Sequence, residues 1–139
     1  MSIRAIPLLF FVFLMYNAVV LIGAGSNPDD ALKVLDYHLL PLPMLNGHTW
    51  ILTTGDLITL ALLVLLFFEL LKATYTSSTS LIDHGLSMAV FVVCLIEFLM
   101  VRQAQTSVFF FIVIATLIDV IAGYTIGIRV ARRDLTIEG

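Results

Sequence analysis

The chain has 139 residues, of which 60% are hydrophobic and 12% are charged, and its mean hydropathy is +1.09. About a quarter of the residues in a soluble domain are charged, so this composition excludes an ordinary soluble domain and indicates an integral membrane protein whose first partner is the lipid bilayer. The formal net charge is −3, with seven basic residues. Nothing here provides a basic surface for nucleic acid, and we expect no nucleic-acid partner.

Four apolar segments have the length that a membrane-spanning helix needs, which is roughly 20 residues. They cover residues 6–24, 51–71, 81–101 and 108–128. The first segment also has the form of a weak signal peptide, but Tyr16 and Asn17 give it polar groups that favour a retained span. We therefore predict an all-α membrane protein, a single domain over residues 1–139 with four transmembrane helices in an antiparallel bundle.

Residues 26–50 form the longest connection between the predicted spans, and they begin with a signal for a helix start. Asn27 is a favourable N-cap, and Pro28 suits the first helical turn. The leucine spacing that follows predicts a short amphipathic helix over residues 28–39, which Pro41 and Pro43 end. We expect this helix to lie in the membrane interface or to cover the bundle.

The basic residues predict the orientation, since Lys and Arg are more frequent in cytoplasmic loops. Five of them flank one end of the predicted bundle and two flank the other: Arg4, Lys72, Arg129, Arg132 and Arg133 against Lys33 and Arg102. Both termini are therefore expected in the cytoplasm, and the compact loops fit a bacterial inner membrane. Trp50, at the outer boundary of the second span, is typical of an aromatic belt.

Half of the ten acidic residues fall inside the predicted spans, namely Asp56, Glu69, Asp83, Glu97 and Asp119, and His84 follows one of them. A charged side chain at the centre of a bilayer costs about 3 kcal/mol or more. Such residues therefore normally face the bundle interior, water or a partner protein. These side chains are the candidates for a functional site.

Helical periodicity places the acids of the last two spans on defined faces. At 3.6 residues per turn, Asp83, Cys94 and Glu97 share one stripe of the third span. Asp119 lies at mid-depth of the fourth span, where we expect no basic partner within the spans. It is surrounded by a face that permits close helix packing, which consists of Ala115, Thr116, Ala122 and Gly123.

Ordered by depth, the polar residues form three predicted layers. The outer layer holds Asn17, Asp56 and Glu97, the middle holds Asp119 with Cys94 and Thr116 nearby, and the inner layer holds Glu69, Lys72, Asp83, His84 and Arg129. Such a series is typical of proton relays and cation pathways. Simpler interpretations exist for some members: an ion pair with Lys72 for Glu69, a capping or solvated position for Asp56, a neighbouring Arg102 for Glu97, and packing for His84.

Two functional hypotheses follow. In the first, the protein handles protons or cations, as a channel or transporter does, and works as a homo-oligomer. In the second, it is a non-catalytic accessory or assembly subunit, and a larger membrane complex docks on the small-residue face and supplies the partner of Asp119. Because the chain has no motif for a nucleophile, a phosphate loop or a zinc helix, we expect no enzymatic activity, cofactor or metal site.

Overall fold

The computed structural model describes residues 5–75 and 81–138. Arg4 and residues 76–80, which lie between the second and third predicted spans, are outside this part of the chain. The described residues are mostly helical. In chain order the elements are α1 (Leu9–Ala24), a 3₁₀ turn (Pro28–Asp30), α2 (Ala31–Leu35), β1 (His38–Pro43), β2 (Thr49–Thr53), α3 (Thr54–Tyr75), α4 (Leu81–Met100), a second 3₁₀ turn (Arg102–Ala104) and α5 (Ser107–Glu138).

Three of the helices are long and apolar enough to cross a membrane, within Thr54–Tyr75, Ile82–Met100 and Ser107–Arg129. At 16 residues, α1 is shorter than the expected first span. It meets the same test only together with Pro28–Leu35, from which it is bent by 115°. The structure thus confirms a mostly helical protein with three to four candidate membrane spans.

The prediction of an all-α fold is wrong in the long connection, where the chain forms an antiparallel β-hairpin. The predicted helix over residues 28–39 ends at Leu35, and β1 begins three residues later. Two prolines explain the change, because a proline fixes its own φ and also disfavours helical geometry in the residue before it. The Leu-Pro-Leu-Pro stretch at residues 40–43 is therefore held extended.

The turn of the hairpin has a recognisable sequence signal that the helical interpretation missed. Asn46 and Gly47 stand between the two strands, and Asn-Gly is among the strongest short-range signals for a hairpin. Gly47 adopts a φ of 84°, which favours glycine. The Asn46 side chain accepts a hydrogen bond from the His48 amide at 3.0 Å, and the Met44 amide donates to the His48 carbonyl at 2.7 Å.

The helix α5 lies at the centre of the packing and contacts α1, α3 and α4. The α4 and α5 helices run antiparallel, because His84 stacks on Tyr124 near one end while Phe98 stacks on Phe109 near the other. At the hairpin end, Arg102 of the second 3₁₀ turn pairs with Asp29 at 2.9 Å. The connection between α1 and α3, which contains the hairpin, and the connection between α4 and α5 therefore lie at the same end of the protein.

Tyr16 joins α1 to the connection between α4 and α5. Its side chain is fully buried, and its ring packs edge-on against Phe109. The hydroxyl donates to the Gln103 carbonyl at 2.7 Å and lies 2.8 Å from the hydroxyl of Thr106. Since Thr106 also accepts a hydrogen bond from the Phe109 amide, Tyr16 supports the N-cap of α5.

The Tyr16→Phe variant should lower the free energy of unfolding by about 1 kcal/mol, because it leaves the Gln103 carbonyl without its donor. Reversible unfolding in mixed micelles measures the change. The matched control is Tyr37→Phe, at an exposed side chain near the same end. Equal stabilities of the two variants would contradict this role for the Tyr16 hydroxyl.

Candidate functional site

Glu69 is a buried carboxylate that connects two helices. Its side chain is 5% exposed on α3. One carboxylate oxygen accepts a hydrogen bond from the Leu8 amide at 2.9 Å, just before α1, and the other pairs with Lys72 at 3.1 Å. The Lys72 ammonium also donates to the Ile6 carbonyl at 3.4 Å. The predicted Glu69–Lys72 ion pair is confirmed, and it also holds the start of α1 against the end of α3.

Asp119 points into the same region of the bundle. It is 6% exposed, and the Ser87 side chain of α4 hydrogen-bonds its carboxyl group. Glu69 and Lys72 are both close enough to interact electrostatically with it. Side chains from three helices therefore lie within electrostatic or hydrogen-bonding reach of Asp119. We call Glu69, Lys72, Ser87 and Asp119 the Glu69 cluster.

This arrangement corrects the predicted layers. Asp119 was expected without a basic partner and at a different depth from Glu69, yet Lys72 and Glu69 are both within electrostatic reach. The error comes from where the second span begins. The hairpin takes residues 51–53 out of the expected helix, so Glu69 lies 15 positions after the start of α3, and Asp119 lies 12 positions after the start of α5.

Glu97 has a different partner from the one the sequence suggested. The amide nitrogen of Asn17 on α1 donates to the Glu97 carboxylate at 3.3 Å and to the Phe13 carbonyl at 3.0 Å. Arg102, the predicted neighbour of Glu97, pairs instead with Asp29. The Asn17–Glu97 contact joins α1 to α4 on the hairpin side of the Glu69 cluster.

Asp56 is a helix-capping residue. Its carboxylate accepts a hydrogen bond from the Thr53 amide at 3.0 Å, and its own amide donates to the Thr53 hydroxyl at 3.2 Å. This reciprocal pattern is a capping box at the start of α3. The structure therefore supports the capping interpretation of Asp56.

His84 packs against α5. Its ring stacks on Tyr124 with centroids 4.3 Å apart and planes 12° from parallel. A Cβ atom at Gly123 would lie 3.7 Å from the same ring, an ordinary van der Waals distance, so the imidazole also packs over Gly123. Asp83 is half-buried in the first turn of α4. The sequence favoured packing for His84, but it did not identify Tyr124 as the partner.

The predicted small-residue face lies partly in the core. Ala115 and Thr116 are buried, while Ala122 and Gly123 are half-buried. The Thr116 hydroxyl donates to the Val113 carbonyl of its own helix at 2.7 Å. Cys94 is completely buried. Ala115, Thr116 and Asp119 are thus covered within the chain, whereas Ala122 and Gly123 are partly exposed.

An apolar cleft of about 270 Å³ separates the start of α1 from α4. It is lined by Ile6, Pro7, Phe10, Phe13, Leu86, Ala89, Val90 and Val93. None of the predicted pathway residues line it. Two of its lining residues adjoin the Glu69 cluster. Leu86 precedes Ser87 in the chain, and the Ile6 carbonyl accepts a hydrogen bond from Lys72.

Comparisons with protein-family models, with curated proteins and with solved structures find no match for this chain. Within residues 5–75 and 81–138, no three His, Cys, Asp or Glu side chains are grouped in a way that could hold a metal ion. Any functional assignment therefore depends on the chemistry of the groups described above. Of these, the Glu69 cluster has the largest number of buried ionisable side chains.

The Glu69→Ala variant should loosen the start of α1, because it leaves the Leu8 amide without an acceptor and Lys72 without its carboxylate. The Lys72 side chain that remains is 33% exposed, so the main loss is the hydrogen bond from the Leu8 amide to a charged group, about 2 kcal/mol. We expect faster amide hydrogen exchange at Leu8 and lower stability in micelles. The matched variant is Glu69→Gln, which keeps an oxygen for the Leu8 amide and should show a smaller change. Unaltered exchange at Leu8 in Glu69→Ala would contradict the assignment.

Proposed function

We propose that this protein handles protons at the Glu69 cluster, as a small channel or transporter does. The observation that carries the proposal is the composition of the cluster, which brings two carboxyl groups, one amine and one hydroxyl together among apolar helices. The proposed setting is a bacterial inner membrane with both termini in the cytoplasm. The proposed bundle has four antiparallel membrane spans, and its first span consists of α1 together with the bent segment Pro28–Leu35.

The charge balance of the cluster supports this proposal. If Glu69, Lys72 and Asp119 are all ionised, the Glu69 cluster itself carries one negative charge more than positive charge. An uncompensated charge in hydrocarbon costs several kcal/mol. Binding one proton or one monovalent cation neutralises the cluster, and releasing it restores the charge. Because one added charge neutralises these three ionisable side chains, the cluster is suited to reversible binding of a proton or a monovalent cation.

Other polar residues provide access to the cluster in this proposal. Glu97 and Asn17 lie towards the hairpin end, and Asp83 and His84 lie towards the opposite end. Asp56 is left out of the pathway, because its carboxylate and its amide are both engaged in the cap of α3. The proposal includes a homo-oligomer, since a single chain of this size encloses little space for a pathway.

Proton flux into liposomes that contain only this protein tests the proposal. With a pH gradient, a potassium ionophore for charge balance and a trapped pH dye, we expect flux above that of protein-free liposomes. The Asp119→Asn variant should lose this flux, because it removes the excess acid and leaves a neutral Glu69–Lys72 pair. The matched control is Asp56→Asn, which makes the same substitution at a position where the asparagine side-chain oxygen can still accept the hydrogen bond from the Thr53 amide.

Two outcomes would overturn the proposal. Flux that is unchanged by Asp119→Asn would exclude the Glu69 cluster as the site. No flux from the wild-type protein would favour the accessory-subunit hypothesis. Circular dichroism and gel filtration of each variant establish that the loss of flux does not come from unfolding.

A further inference from the structure

The β-hairpin has the chemistry of a membrane-contacting element, although it lies outside the candidate spans. Between Asp36 and Asp56 the chain contains no Asp, Glu, Lys or Arg. Large apolar side chains are nevertheless exposed along it, namely Leu39, Leu40, Met44, Leu45 and Trp50. A water-exposed loop normally carries charges, so this segment is unusual for a solvated connection.

The register of the hairpin shows that one face is apolar in the regular part of the ladder, from Leu40 to Pro43. Successive side chains of a strand point to opposite faces. Leu40 pairs with Leu52, and Leu42 pairs with Trp50, so these four side chains share a face. The other face carries the pairs Pro41 with Ile51 and Pro43 with Thr49. Neither face therefore presents a charged group to its surroundings.

The two prolines of β1 make strand addition by another protein an unfavourable use of this hairpin. An exposed strand edge recruits a further strand through its amide and carbonyl groups, and proline has no amide hydrogen to donate. Pro41 and Pro43 thus remove two of the six possible donors of β1. The apolar side chains, rather than the backbone edge, are the groups available for contact.

The position of the hairpin is set by its connection to α3. β2 ends at Thr53 and α3 begins at Thr54 with no linker, and the Thr54 amide donates to the Tyr37 carbonyl at 3.1 Å. The hairpin therefore lies directly before the first residue of α3, which is long and apolar enough to span the membrane. Its two-stranded sheet has unpaired edges, which cannot be desolvated in hydrocarbon. The level that accommodates both apolar side chains and hydrated edges is the headgroup region.

We infer that the hairpin inserts its apolar side chains into the interfacial layer of the bilayer that contains α3. Trp50 and the leucines of the apolar face contact the acyl-chain boundary, and the strand edges are hydrated at headgroup level. The hairpin then fixes the depth at which α3 begins. This inference is independent of the proposed function, since it involves no residue of the Glu69 cluster.

The protein has a single tryptophan, so its fluorescence reports Trp50 alone. In vesicles of brominated phosphatidylcholine, we expect blue-shifted emission and strong quenching by bromines placed near the headgroup. Quenching by bromines near the bilayer centre and by aqueous acrylamide should be weak. The variant Leu45→Asp places a charge at the fully exposed tip and should increase acrylamide quenching. The same substitution at Leu135, an exposed position near the other end of the chain, is the control.

Emission typical of water, with strong acrylamide quenching and none by brominated lipid, would overturn the inference. Blue-shifted emission that is insensitive to brominated lipid and depends on the protein-to-lipid ratio would also overturn it. That second result would show that another copy of the chain covers the hairpin.

Discussion

The burial of the Glu69 carboxylate is the constraint on which the arrangement of the helices depends. Glu69 takes a hydrogen bond from the Leu8 amide and a counter-charge from Lys72, whose ammonium also reaches the Ile6 carbonyl. A buried charge is tolerated only when its partners are close and well oriented. The start of α1 is therefore held at the end of α3, and Asp119 of α5 lies within the electrostatic field of the pair.

The other intramembrane acids are accommodated one at a time by local contacts. Asp56 caps its own helix, and Glu97 is held by Asn17. In the described part of the chain, no buried side-chain nitrogen or oxygen lacks a hydrogen-bond partner. Asp56 and Glu97 thus each have a local partner that lowers the free-energy cost of burying a charge. Asp119 differs because it adds a second carboxyl group to the Glu69–Lys72 ion pair.

Hydropathy predicted the long helices well, because about 20 apolar residues are needed to cross a bilayer and few other structures use such a run. The Glu69–Lys72 pair was also predictable, since the two residues are three apart on one helix. The depth of Asp119 relative to that of Glu69 could not be predicted from the sequence. It depends on where α3 begins, and the hairpin moved that start from Ile51 to Thr54, about 4.5 Å along the helix axis. Asn46-Gly47 and the two prolines held the information needed to predict the hairpin.

The central claim is that the Glu69 cluster exchanges one proton because it has one more acid than base. Infrared difference spectroscopy of the protein in lipid, recorded between two pH values, observes this directly through the carbonyl stretch of a protonated carboxyl group. The account predicts a reversible band from a carboxyl group in apolar surroundings, absent in Asp119→Asn and retained in Asp56→Asn. A spectrum without such a band, or one in which the band persists in Asp119→Asn, would contradict it.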